Sequence, residues 1–299
     1  MARNALTRRR RRRGAGIVAV VLLLLVGGAA AYWGPGLFRE QGYRLSTERC
    51  TAELPDFTDN KTAEQANNAA IIAAVGMSHG FGVQGVTVGI ATAIQESSLR
   101  NLDYGDRDSL GLFQQRPSQG WGTEEQIMDP HYSASMFFLA LDRVEGWEDM
   151  SLTDAAQAVQ ISGFPDAYAD HEQEALAWAT AFTGGNAVVD CSVSAANAGS
   201  AQAVSERIAW DFGSGRYTVE ILEETEDSTV LGVTAIDNTD AALFALREWA
   251  AATASTTGIQ EATIGGNGWN NQLGRIEAQD DDQGDEQPFL GVRLVLNSP

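Results

Sequence analysis

The sequence predicts a multi-domain protein: an N-terminal transmembrane helix, then a mostly α domain, then a small α+β domain. Three observations carry this. Six consecutive arginines, Arg8 to Arg13, precede an uncharged, mostly apolar run from Gly14 to Trp33. Between the only two cysteines, Cys50 and Cys191, the pattern is largely helical. After a small, polar stretch at 192–204, "SVSAANAGSAQAV", segments that read as strands flank one that reads as a helix.

Taken in order, residues 1–14 read as a basic cytoplasmic segment and 15–33 as the membrane helix. About twenty apolar residues span roughly 30 Å of hydrocarbon. The arginines stay inside, Tyr32-Trp33 suits the far interface, and the body lies outside. A cleavable signal peptide ending near Ala29-Ala30-Ala31, giving a secreted protein, is the alternative. Residues 34–49 are a linker. The α domain occupies 50–191, where a Cys50–Cys191 disulfide is expected in an oxidising compartment. Closing so long a loop is worth about 5 kcal/mol in the chain-entropy picture.

Within that domain Thr62 caps a helix running to Gly80. "VTVGIATAIQES" sets Val86, Ile90, Ala93, Ile94 and Ser97 near one face, with Glu96 in the last turn. Residues 101–123 read as irregular, with a small hairpin around Tyr104-Gly105. Asp129-Pro130 opens the next helix, since proline is tolerated in a first turn. Ser151-x-x-Asp154 caps another. A last helix starts at Phe164-Pro165-Asp166 and stops at Gly184-Gly185. In the α+β domain, 205–299, "RYTVEILEE", "STVLGVTAI", "IQEATIGG" and "PFLGVRLVLN" read as strands and "TDAALFALREWAAATAST" as a helix. The acidic run Gln279 to Gln287 lacks the order of a calcium loop and reads as solvated.

Charge narrows the function. The net charge is −20, and none of the forty acids lies in the first fourteen residues, which hold seven of the twenty basic ones. So acidic a body repels nucleic acid and anionic surfaces. His79, His131 and His171 are scattered, so no metal site is expected, and no phosphate loop or Ser-His-Asp signature points to a cofactor or acyl transfer.

The chemistry concentrates at "AIQESSLRNLDYGDRDSLGLFQQRP", 93–117. A glutamate ending an apolar helix beside an irregular polar segment is placed to have its pKa raised by partial burial, as a general acid near neutrality requires. Glu96-Ser97, with Gly111-Leu112-Phe113-Gln114 following, resembles the lytic transglycosylases of the lysozyme-like superfamily. The run through Arg116-Pro117, "GWGT", "IMDPHY" and "AAQAVQISGFPDAYADHEQEA" looks closer still to actinobacterial wall-associated and phage-tail lysozyme-like domains. The resemblance covers roughly 62–183.

The resemblance implies that Glu96 is the general acid, Ser97 its companion serine, and Gly111 to Gln114 the segment lining a cleft. It places Gln160 and Tyr168 near the superfamily's later Tyr/Asn motif. There the sequence departs, reading Ala158-Val159-Gln160-Ile161-Ser162-Gly163 where Ala-Ala-Tyr-Asn-Ala-Gly is usual. It implies cleavage of peptidoglycan glycan strands with one carboxyl. A hydrolase would add a second, with Asp103, Asp106 and Asp108 as candidates or as turn residues. Tyr104 and Trp121 stack on sugar or pack into the core. A non-catalytic peptidoglycan-binding scaffold is the alternative function. The sequence names no partner for the C-terminal domain.

Overall fold

The computed structural model describes residues 48–161, 165–194, 199–277 and 289–297. Among these are eight α-helices and two antiparallel sheets. The first sheet begins with a hairpin, β1 (Arg49–Leu54) and β2 (Phe57–Thr62), turned at Pro55-Asp56. Proline presets the backbone for such a turn and aspartate supports it with its side chain. β3 (Val188–Ser192) pairs with the other edge of β1, giving the order β2-β1-β3. Cys50 stands directly opposite Cys191 in that pairing, and the two form a disulfide.

Thr62 ends β2 and caps α1 (Ala63–Ser78) in a reciprocal box with Gln65. That satisfies two otherwise orphaned groups at the helix start. α1 is buried almost all round and packs against α2 (Val83–Ser97). Gly76 and Gly89 face the Phe138 ring so closely that a Cβ on either would lie within 3 Å of it. After the short α3 (Glu124–Ile127) comes α4 (Pro130–Leu141), capped by Asp129, whose carboxylate accepts from the His131 N–H. α5 (Leu152–Gln160) is capped by Ser151. Pro165–His171 forms a 3₁₀ turn rather than the first turns of an α-helix, and α6 (Glu172–Phe182) follows it.

The second half adds α7 (Ala201–Phe212), β4 (Tyr217–Glu224), β5 (Ser228–Ala235), α8 (Asp240–Thr257), β6 (Ile259–Ile264), β7 (Asn267–Asn270), β8 (Gly274–Ile276) and β9 (Val292–Asn297). Its sheet order is β4-β5-β9-β6-β7-β8. α8 packs against this sheet and also against α1 and α6. The acidic run 279–287 lies outside the described residues.

Two expectations are corrected here. Residues 48–299 form one compact unit, an α+β fold in which both halves share a continuous core. The cross-links are specific. Asp211 of α7 is fully buried, accepting from Trp249 Nε1 at 2.6 Å and Arg207 Nε at 2.7 Å, with His131 Nε2 of α4 2.6 Å away. Trp269 Nε1 donates to the Cys191 carbonyl, and Arg216 to that of Met77. A buried carboxylate is stable only with such partners, and these partners come from both halves. The second correction concerns the membrane. Among the described residues no helix is long and apolar enough to cross one. The span expected at 15–33, on which the single-pass membrane localisation rested, lies outside the described residues.

Candidate functional site

The end of α2 builds the site. Ser98 and Leu99 both take left-handed backbone conformations, φ 53° and 57°. Each costs an L-residue roughly 1–2 kcal/mol, so something must hold them. The Ser98 N–H donates to Ile94 O at 2.7 Å and the Leu99 N–H to Ala93 O at 3.0 Å. From α1, Gln65 Nε2 donates to Ser98 O and Asn68 Nδ2 to Leu99 O, both at 2.8 Å. Gln65 thus caps its own helix with one end of its amide and closes the next helix with the other. Leu99 is fully buried beneath.

The turn sends residues 100–115 back beside the helix end. Ser97 Oγ donates to Leu112 O at 2.7 Å, and backbone pairs join Leu102 to Gly111 and Leu110 to Gln115. Gly111 has φ +75°, and a Cβ there would lie 2.7 Å from Ile127 O. Leu112 and Phe113 are fully buried, Phe113 stacking on Phe137 at 4.7 Å between ring centres. These side chains serve the core, and Ser97 is a tether, where the resemblance implied substrate contact. Gln114 is half-buried, its amide near Gly111 O and Tyr104 O.

Glu96 lies half-buried in the last turn of α2. The fully buried Tyr168 donates its hydroxyl to Glu96 Oε1 at 2.8 Å. Gln160 also hydrogen-bonds the carboxylate and donates to Phe113 O at 2.8 Å, joining the acid to the returning segment. Burial pushes the Glu96 carboxyl above its ordinary value, and the bonds from Tyr168 and Gln160 pull it partly back. Its two partners are neutral.

The other candidates stand apart in their bonding. Asp108 accepts from Arg116 Nε at 2.8 Å and from the N–H and hydroxyl of Ser118. The Ser118 N–H and the Arg116 guanidinium hold its pKa well below the usual carboxylate range. It clasps the loop. Asp103 and Asp106 are exposed, as is Tyr104 at 68%. Trp121 is half-buried against the core, its carbonyl accepting from Tyr132. Sequence reasoning missed Gln65, Asn68, Gln95, His171 and Glu174, which hold the helix end and the Tyr168 turn. The one weak signal for this group was Lys61, the only lysine of the chain.

A cavity of about 160 Å³ lies at the seam of the two halves, between β3, α8, β7 and β8. None of the Glu96 group lines it. Of its charged lining residues, Arg247 pairs with Glu248, and Arg275 acts electrostatically on Asp190 of β3, outside the lining. Among the described residues no cluster of three or more His, Cys, Asp or Glu side chains is arranged to hold a metal ion. No known protein-family model matches the chain, and no curated protein does.

Proposed function

We propose that this protein cleaves peptidoglycan glycan strands by a lytic transglycosylase-like reaction, with Glu96 as acid and then base. One observation carries the reading: a carboxyl with a raised pKa is held at a helix end by two neutral donors, Tyr168 and Gln160. The motif resemblance at Glu96-Ser97 and Gly111 to Gln114 supplies the substrate class. The Cys50–Cys191 disulfide suits a protein working in an oxidising compartment outside the cytoplasm.

In the first step the protonated Glu96 transfers its proton to the oxygen linking muramic acid to glucosamine. The bond breaks and an oxocarbenium-like centre forms. Tyr168 and Gln160 then stabilise the new carboxylate, each hydrogen bond to a charged group being worth about 1.5–3 kcal/mol. In the second step the carboxylate takes the proton of the muramic C6 hydroxyl. That oxygen closes on the anomeric carbon as a 1,6-anhydro ring, and Glu96 is again protonated. No second carboxyl is needed, consistent with Asp108 being engaged by Arg116 and Ser118.

The test incubates the disulfide-intact protein with purified peptidoglycan, beside Glu96→Gln, and identifies the released muropeptides by mass spectrometry. Anhydro-muropeptides from the wild type only are expected. Reducing-end products dependent on Glu96 would mean hydrolysis and direct attention to Asp103 and Asp106. Binding without any product would overturn catalysis in favour of a glycan-gripping scaffold, the reading that the departure at 158–163 supports.

A further inference from the structure

Behind the Tyr168–Glu96 contact runs a chain of polar side chains that the glycan reaction leaves unused. It starts at Lys61 on β2, whose side chain is only 8% exposed. The ammonium reaches Asp59 Oδ2 at 2.6 Å and Glu174 Oε2 at 2.5 Å. Asp59 Oδ2 also accepts from Trp178 Nε1 at 2.7 Å. The other oxygen of Glu174 lies 2.6 Å from His171 Nδ1, and His171 Nε2 lies 2.9 Å from Gln95 Oε1. Gln95 is the residue before Glu96.

The placement has a geometric reason. Tyr168 and His171 sit three residues apart on the Pro165–His171 turn. A 3₁₀ turn has three residues per repeat, so its i and i+3 side chains eclipse. Both therefore project toward the same neighbour, the end of α2. There they meet adjacent residues, Glu96 and Gln95. The two contacts are parallel rungs between the same two elements. The His171 rung is anchored at its far end by Glu174, which the buried Lys61 fixes. It also tolerates either state of the ring. The Glu174 carboxylate can only accept, so Nδ1 donates. Nε2 then donates to the Gln95 oxygen when the ring is charged, or accepts from the Gln95 amide after a half-turn when it is neutral.

The geometry points to His171 as a positioning residue: bridging Gln95 and Glu174, it holds the 3₁₀ turn in register with α2 and so fixes the Tyr168 hydroxyl on Glu96. Its effect on rate rests on the glycan-cleaving reading; its effect on the Glu96 carboxyl does not. A misplacement of about 1 Å in such a site can cost up to 10²-fold in rate.

The experiment compares wild type, His171→Leu, Tyr168→Phe and the double variant, with Gln95→Leu breaking the same rung from the α2 side. Two quantities are read: the kinetics of anhydro-muropeptide release, and the titration of the Glu96 carboxyl by carbon NMR of glutamate-labelled protein. For His171→Leu, kcat is expected to fall about tenfold with KM within about twofold of wild type. Its Glu96 midpoint should rise, as in Tyr168→Phe, because the hydroxyl bond that lowers it is loosened. The double variant should match Tyr168→Phe alone, since both changes act through one contact. Gln95→Leu should reproduce His171→Leu. An unchanged Glu96 titration in His171→Leu, or additive shifts in the double variant, would overturn the proposal. If the wild type releases no anhydro product, the kinetic arm falls with the proposed function, and the titration alone decides the positioning role.

Discussion

Two carboxyl sites in this molecule invite comparison, Glu96 at the end of α2 and Glu248 in the middle of α8. Burial pushes both above the ordinary glutamate value. Their company differs. Glu96 is half-buried and receives hydrogen bonds from Tyr168 and Gln160, neither of which carries a charge. Glu248 is 2% exposed and receives the Arg247 guanidinium and the Val189 N–H at 2.6 Å. Protonating Glu96 leaves only neutral groups behind. Protonating Glu248 would strand an arginine beside the core, a costly step in a low-dielectric site. The first arrangement permits a proton to come and go, and the second fixes a charge to hold α8 against β3. Desolvation alone does not mark a catalytic acid. Its partners decide whether the shifted carboxyl can exchange its proton.

The sharpest way to break the comparison is to remove each carboxylate. Glu96→Gln should cost the glycan-cleaving activity about 10²–10⁴-fold, the usual contribution of a positioned acid, with the fold intact by urea denaturation. Glu248→Leu should do the reverse. It leaves Arg247 and the Val189 N–H unpaired in the seam, so the midpoint of urea unfolding should fall by the equivalent of about 3–5 kcal/mol. The folded fraction should still release anhydro-muropeptides. A stable Glu248→Leu protein, or an active Glu96→Gln one, would collapse the distinction.

The disulfide sharpens it further. β3 carries Val189, which bonds Glu248, and Cys191, which bonds both Cys50 and the Trp269 indole. Replacing both cysteines by serine should therefore loosen the seam, lowering stability by about 2–5 kcal/mol, read again by urea unfolding. The Glu96 carboxyl is held more directly by α1, α5 and the 3₁₀ turn, and the β2-β1-β3 sheet reaches it at a distance, through Lys61 opposite Cys50 and the Glu174–His171 pair. Activity per folded molecule should stay close to that of the wild type.

What was legible in the sequence was local. The caps at Thr62, Asp129-Pro130 and Ser151 act over three residues, and the helices they open are found where those residues stand. β4, β5, α8 and β9 likewise follow their local patterns. The β1–β2 hairpin escaped although Cys50, Ala52 and Leu54 alternate with Arg49, Thr51 and Glu53, because that strand is short and its partner FTDNKT is polar, without an apolar alternation. α7 begins inside a stretch of small residues that reads as linker, although Val204, Ile208 and Phe212 recur every four residues and are its buried face. Leu112 and Phe113, two large apolar residues in a polar segment, carried a core signal that their place in a motif obscured. The union of the halves depends on Asp211 meeting His131 and Trp249, eighty and thirty-eight residues away. The His171–Gln95 rung joins residues seventy-six apart. Pairings at that distance are set by packing and leave no spacing to read.

The smallest expected effect is also the most diagnostic, because it concerns stability at a site proposed for function. The folded-state pKa of Glu96 is raised above the ordinary value of 4.5. The folded state therefore holds this proton more tightly than the unfolded chain does. Its contribution to stability is fully present below about pH 4.5 and is lost as the pH rises through the folded-state value. Above that, the wild type bears a desolvated carboxylate that costs it stability. Glu96→Gln removes the charge while its amide oxygen still accepts from Tyr168. The variant should match the wild type in acid and gain on the order of 1 kcal/mol at neutral pH, a common size for relieving a functional site. Urea unfolding of both proteins at several pH values reads the difference. A gain that grows with pH identifies a carboxyl kept partly buried at a cost to the fold. A constant difference across the range would show that Glu96 titrates alike in both states, and would place it with ordinary helix-end glutamates.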